Sequence, residues 1–291
     1  MKKGFNILLF ASFVFLFIYL WKVDLIIPKH PTASWLIPSI LLLFAGFFAS
    51  TLSWRIALRS HGIRISLRDA IVSHGQSIFA KYIPGKIWVI VGRAGYISDN
   101  KRALRNNTFV SFKEQIIYTW VGFVISVVPT VIFYGIEWLT VILVAMIIGL
   151  SLFLFVAPIH RWGIKIIAKI IKRKFELPVI SFRQSLPMIG STGLIWFCWT
   201  LAFFMFMKAF DVQATAAMAF AFPLSVCFGL IAIILPGGLG LREGIIIGYL
   251  TLSGMDVETA TTISFLNRLT FIVGEAFIFL TALAVRILYR P

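Results

Sequence analysis

Six long apolar runs, at about 5–21, 34–54, 115–134, 138–158, 187–207 and 259–285, constrain this chain more than any other feature. Each comes near or passes the roughly 20 helical residues needed to cross a hydrocarbon core about 30 Å thick. Lipid offers the backbone no hydrogen bonds, so each crossing segment must satisfy its own, which a helix does. Charged residues make up only 13% of the chain, against roughly 25% in a soluble domain, and mean hydropathy is +0.96. The expected fold class is therefore an all-α polytopic membrane protein with six full spans. The first run follows Lys2-Lys3 and ends Tyr19-Leu20-Trp21-Lys22 without a small-residue cleavage site. It is expected to stay as a span rather than leave as a signal peptide.

The net charge of +16 suggests nucleic acid only in a soluble protein; here loop position explains it, and no nucleic-acid partner is expected. Basic residues cluster at Lys2 and Lys3, at Arg55, Arg59, Arg64 and Arg68, and at Lys101, Arg102, Arg105 and Lys113. Further clusters are Arg161, Lys165, Lys169, Lys172, Arg173, Lys174 and Arg183, then Arg286 and Arg290. Loops on the other side hold only Lys22, Lys29 and Lys208, beside Asp24, Glu137, Asp211, Asp256 and Glu258. The positive-inside rule places both termini in the cytoplasm, in the cell (inner) membrane. Trp21, Trp35, Trp54, Trp138 and Trp162 fall at or near run ends, where indole rings favour the interface.

Two further apolar regions do not cross. Region 70–97 lies between two cytoplasmic basic clusters, and region 214–253 lies between acidic outer loops, so each must leave on the side it entered. The first breaks at Pro84-Gly85 and the second at Pro236-Gly237-Gly238. Proline removes a helix donor and glycine permits a reversal. Both regions are expected to be re-entrant hairpins. Residues 1–134 then read span, span, broken hairpin, span, and residues 135–291 repeat that order from the opposite face. An inverted-topology repeat with matching breaks points to a transporter's substrate site; buried structural kinks are the alternative.

Topology leaves Lys81, Lys86, Arg93, Arg242 and Arg268 unplaced in loops. An intramembrane cation is expensive and usually faces a bundle interior or cavity. Four of these five flank the breaks, where half-helix ends expose N–H groups suited to an anionic oxygen. Substrate binding is expected at Lys81, Lys86, Arg93, Arg242 and Glu243 around Pro84, Gly85, Pro236, Gly237 and Gly238. Glu114, Arg268 and Glu275 are candidates for coupling or structural pairs. Arg268 and Glu275, seven apart, share a helix face, which also allows a salt bridge of purely structural use. The stretch 160–175 carries lysines on one face and isoleucines on the other. It suits an interfacial helix on anionic lipid, or an extension of the fourth span. Cys198 and Cys227 sit in apolar runs and are expected to pack. The acids are scattered without a histidine cluster, so no metal or cofactor is expected.

The segments Lys81-Tyr82-Ile83-Pro84-Gly85-Lys86 to Arg93, Ser111-x-x-Glu114, and Leu235-Pro236-Gly237-Gly238-Leu239-Gly240-Leu241-Arg242-Glu243-Gly244 resemble the transmembrane region of lysylphosphatidylglycerol synthases. The resemblance covers roughly 10–285 and is to a stand-alone member without the aminoacyl-transferring domain. It implies a flippase or scramblase that moves an anionic lipid, a phospholipid or a polyprenyl-phosphate-linked sugar, between leaflets. It also implies a link to a lipid-dependent glycosyltransferase. A membrane-embedded transferase using a lipid-linked donor is the alternative, though the outer-loop acids lack a paired motif or histidine cluster; a small-solute channel is a third, which explains cations at both breaks less readily.

Overall fold

A computed structural model describes residues 31–83, 87–171, 181–232 and 235–288, and every regular element among them is helical. In chain order these are α1 (Ala33–Ser60), α2 (Leu67–Ser77), α3 (Ile87–Tyr96), α4 (Lys101–Tyr134), α5 (Trp138–Phe155) and α6 (Ala157–Ile171). Then follow α7 (Phe182–Ala209), α8 (Ala221–Ile231), α9 (Leu241–Leu252) and α10 (Val257–Leu288). Short 3₁₀ turns lie at Ile78–Tyr82, Met218–Phe220 and Pro236–Gly238.

Five helices, α1, α4, α5, α7 and α10, are long and apolar enough to cross a membrane. They take up five of the six expected runs; the first, 5–21, lies outside the described residues. The chain is thus a multi-pass helical membrane protein. Local sequence fixes where several helices begin. Ser66 accepts from Asp69 N at 3.0 Å ahead of α2, and Asn100 accepts from Ala103 N at 2.9 Å ahead of α4. Ser181 and Gln184 form a reciprocal capping box at the head of α7, satisfying two otherwise orphan donors.

The most extensive helix contact joins α1 and α7. Its hydrogen bonds run antiparallel: Thr32 N to Ala209 O at 2.8 Å, Ser39 Oγ to Ala202 O at 2.8 Å, and Trp199 Nε1 to Leu43 O at 3.1 Å. Ser191 Oγ to Ser53 Oγ at 3.2 Å closes the far end. Small and hydroxyl side chains do this in lipid because close backbone approach and hydrogen bonds, rather than apolar burial, hold membrane helices together.

Each broken region consists of two short helices whose arms pack on each other, α2 with α3 and α8 with α9. The arm α2 also packs on α10, and α8 on α4. The 3₁₀ turns at Ile78–Tyr82 and Pro236–Gly238 meet, which brings the second break against the turn that leads into the first although they lie far apart in sequence.

One expectation is modified and one alternative is decided. Trp54 is fully buried rather than interfacial, because α1 runs on to Ser60 and carries the indole inside, where Nε1 donates to Ser73 Oγ at 3.1 Å. Trp35, Trp138 and Trp162 are exposed. The stretch from Ala157 is a separate helix and not an extension of α5, since the chain leaves helical geometry at Val156 (φ −102°, ψ 104°). On α6, Arg161, Trp162, Lys165 and Lys169 face outward and Ile164 packs inward. Cys198 and Cys227 are free and buried.

Candidate functional site

Three of the five charges that topology could not place, Lys81, Arg242 and Arg268, converge where the breaks meet. Lys81 lies in the last turn of the first 3₁₀ segment and pairs with Glu275 of α10, whose side chain is 0% exposed. Tyr82, next in the chain, donates its hydroxyl to the other Glu275 oxygen at 2.8 Å. Phe271, Arg268 and Glu275 share one face of α10, since spacings of three and four residues bring side chains together on a helix. That face therefore presents a cation, an aromatic ring and an anion to both breaks at once.

Arg268 is 3% exposed and reaches across to the second break, donating Nη2 to Gly237 O at 3.2 Å and to Tyr82 Oη at 3.5 Å. Its Nε stands 3.7 Å from Glu243 Oε1, an ion pair too long for a hydrogen bond. Both Nε and Nη1 of Arg268 consequently lack an acceptor. The other Glu243 oxygen accepts from Gly240 N at 2.8 Å and caps α9. Arg242, 6% exposed, lays its guanidinium over Phe271 at 5.0 Å and Phe222 at 5.8 Å. Among the described residues no carboxylate pairs with it, and its Nε has no acceptor.

The glycines of the second break let the arginines approach. Gly237 (φ +58°) and Gly238 (φ +73°) adopt left-handed backbone, which side chains disfavour. A Cβ on Gly237 would meet Tyr82 Cε1 at 2.7 Å and Arg268 Nη2 at 2.9 Å, and one on Gly238 would meet Arg242 Cδ at 3.1 Å. The turn is thus wedged between the Arg268 guanidinium and the Arg242 side-chain stem.

Arg93 is placed elsewhere. It is 4% exposed on α3, donates Nε to Ser111 Oγ at 2.5 Å and Nη2 to Ser111 O at 2.9 Å, and pairs with Glu114 Oε2 at 2.6 Å. Its guanidinium stacks on Trp54 with 4.4 Å to the ring centroid. Glu114 serves as its counter-ion. Arg268 and Glu275 form no direct ion pair; Tyr82 stands between them. Pro236 lies in the 3₁₀ turn of the second break, while Pro84, Gly85 and Lys86 lie outside the described residues. Among the described residues no group of three or more His, Cys, Asp or Glu is placed to hold a metal ion.

Sequence reasoning passed over Tyr82, Phe222 and Phe271. The first lay within the quoted motif, and Phe271 sits three residues after Arg268 and four before Glu275, a spacing that already put it on their face.

Residues 5–282 match the family model described as the lysylphosphatidylglycerol synthase TM region. The chain belongs to that family. The match takes in all ten described helices up to residue 282 of α10, including both breaks and all of the buried charges. No curated protein matches the chain. Membership in the lysylphosphatidylglycerol synthase TM-region family joins the buried charge centre to a membrane, lipid-related role.

Proposed function

We propose that this protein is a lipid transporter rather than an enzyme, carrying an anionic lipid, a phospholipid or a polyprenyl-phosphate-linked sugar, between leaflets. The single observation that carries this is Arg242: a buried guanidinium, without a counter-ion among the described residues, at the junction of the two breaks. An uncompensated cation inside a membrane bundle marks a path for an anion. Arginine's planar fork suits phosphate oxygens in particular. The headgroup would pass between the breaks while the hydrocarbon chains stay in the bilayer.

In this reading the breaks are re-entrant hairpins of an inverted repeat, with both chain ends in the cytoplasm of a cell carrying the protein in its inner membrane. Several contacts support the repeat. The equivalent spans α1 and α7 pack antiparallel, α2 packs on α10 as α8 packs on α4, and α3 packs on α4 as α9 packs on α10. Each of the last two contacts carries one buried ion pair, Arg93–Glu114 and Glu243–Arg268, with the charges exchanged between helices. Such halves rock against each other around a central site in transporters built this way. A glycosyltransferase that uses the delivered lipid is the proposed partner.

The test is a leaflet-exchange assay with purified protein in vesicles carrying fluorescently tagged phospholipids, bleached from outside by dithionite. Bleaching beyond the outer-leaflet half, absent from protein-free vesicles, is expected for anionic lipids. Protein-containing vesicles that protect the inner half for every headgroup and for a polyprenyl-phosphate sugar would refute translocation.

A further inference from the structure

The charge balance at the junction limits what kind of phosphate fits. Among the described residues three cations meet there, Lys81, Arg242 and Arg268, against two carboxylates, Glu243 and Glu275. Both carboxylates are engaged: Glu275 by Lys81 and Tyr82, Glu243 by the Gly240 amide and, at longer range, by Arg268. The remainder is a single positive charge. It resides on two side chains more than nine-tenths buried that retain donors without acceptors, Nε of Arg242 and Nε and Nη1 of Arg268. These donors belong to the α9 end of the break and to α10, on either side of the Gly237-Gly238 turn. Tyr82, Tyr118 of α4 and Cys227 of α8 are the other described titratable groups within electrostatic reach of Arg242, and phenols and a thiol add no charge at neutral pH.

We infer that the junction is a site for one negative charge, a phosphate diester, and that it discriminates against the dianion of a phosphate monoester. The inference rests on the lipid-transport proposal for the identity of the ligand, but its charge logic is independent of movement. A diester carries one charge at every pH of interest and leaves the junction neutral. A monoester above its second ionisation, near pH 6, brings a second charge that no described group balances. In a buried site that charge is opposed by desolvation. The monoester then binds only as its singly charged form, so its apparent affinity falls with the fraction of that form.

Calorimetric titration of the purified protein in maltoside detergent with short-chain phosphatidylglycerol (diester) and short-chain phosphatidic acid (monoester) tests this at pH 5 and pH 8. Diester affinity is expected to stay level, which also reports any titration of the protein itself. Monoester affinity is expected to fall about a hundredfold, tenfold for each pH unit above its second ionisation. Arg242→Gln should weaken the diester, since the net charge of the junction is then zero. Glu243→Gln retains an oxygen for the Gly240 amide yet adds one net positive charge, so it should restore monoester binding at pH 8. Equal pH profiles for the two lipids, or no binding of either, would overturn the inference. Displacement of the short-chain diester by equimolar glycerophosphoglycerol would reassign the site to a water-soluble diester and overturn the lipid assignment. Selective diester binding without leaflet exchange would leave this inference standing and remove only the proposed transport.

Discussion

Glu275 offers the sharpest structural prediction. Its carboxylate is fully buried on α10 and holds both Lys81 and Tyr82 of the first break. Removing one member of a buried ion pair typically destabilises by about 3–5 kcal/mol, because the other charge is left uncompensated. Two features lower that figure for Glu275→Gln. The Lys81 side chain keeps 21% of its exposure and can turn toward a wetter position, and glutamine's oxygen still accepts from one of the two donors. The expected loss is about 2–3 kcal/mol, between the price of a fully buried orphan charge and that of a neutral hydrogen bond. Lys81→Met alone should cost a similar amount by stranding Glu275. The double variant removes both charges while methionine fills the lysine stem's volume, and should return to within about 1 kcal/mol of the parent. Unfolding in mixed micelles of rising dodecyl sulfate content, followed by the fluorescence of the nine tryptophans, measures all four proteins. A Glu275→Gln protein as stable as the parent, or a double variant whose losses simply add, would refute the ion pair as a tie between α10 and the first break.

Three further outcomes follow from particular contacts. Gly75→Ala should destabilise by about 1–3 kcal/mol, since the new Cβ would lie 2.5 Å from Ala282 Cβ and 2.6 Å from the Ile278 carbonyl oxygen, neither of which can swing away. Gly149→Ala, with nothing within 4 Å of the added carbon, is the control and should be neutral or stabilising by up to about 1 kcal/mol in the same unfolding assay. Arg93→Met should cost about 3–5 kcal/mol by stranding Glu114 between α3 and α4, with most of it recovered on adding Glu114→Gln. His61, just beyond the end of α1, has its pKa held below the usual 6.5 by burial, against an opposing hydrogen bond to Ala57 O, with Lys113 adding to the depression. The unfolded chain therefore takes up this proton first as pH falls, so stability present above about pH 6.5 should decline below it. Loss of that acid-side decline in His61→Gln, with an imidazole resonance titrating below 6.5 in the parent, would be the signature.

Hydropathy made the spans legible because crossing lipid demands unbroken apolar length. It was blind to their polar extensions: α4 begins at Lys101 and α1 ends at Ser60, where polar residues continue the helix outside the expected runs. Trp54 was misplaced for that reason. The breaks were visible as well, since Pro-Gly and Pro-Gly-Gly have few uses inside an apolar run. The pairing of charges was not. Spacing along a helix tells which residues share a face but not which helix arrives opposite, so Arg268 and Glu275 read as partners. In the fold Glu243 comes to the first, and Lys81 and Tyr82 to the second. For the same reason Arg93 and Arg242 looked alike in sequence, flanking equivalent breaks. Only the fold separates an arginine paired with Ser111 and Glu114 from one resting on Phe222 and Phe271 with an open donor.

The central claim is that an anionic headgroup enters the junction of the two breaks. Photolabelling the vesicle-embedded protein with phosphatidylglycerol bearing a photoreactive group on its glycerol headgroup tests that claim most directly. Attachment within 235–243 and 268–275 is predicted, reduced at least about tenfold by Arg242→Gln on the loss of a buried charge contact. Labelling confined to outward-facing residues such as Trp138 and Trp162, and unchanged in the variant, would contradict it.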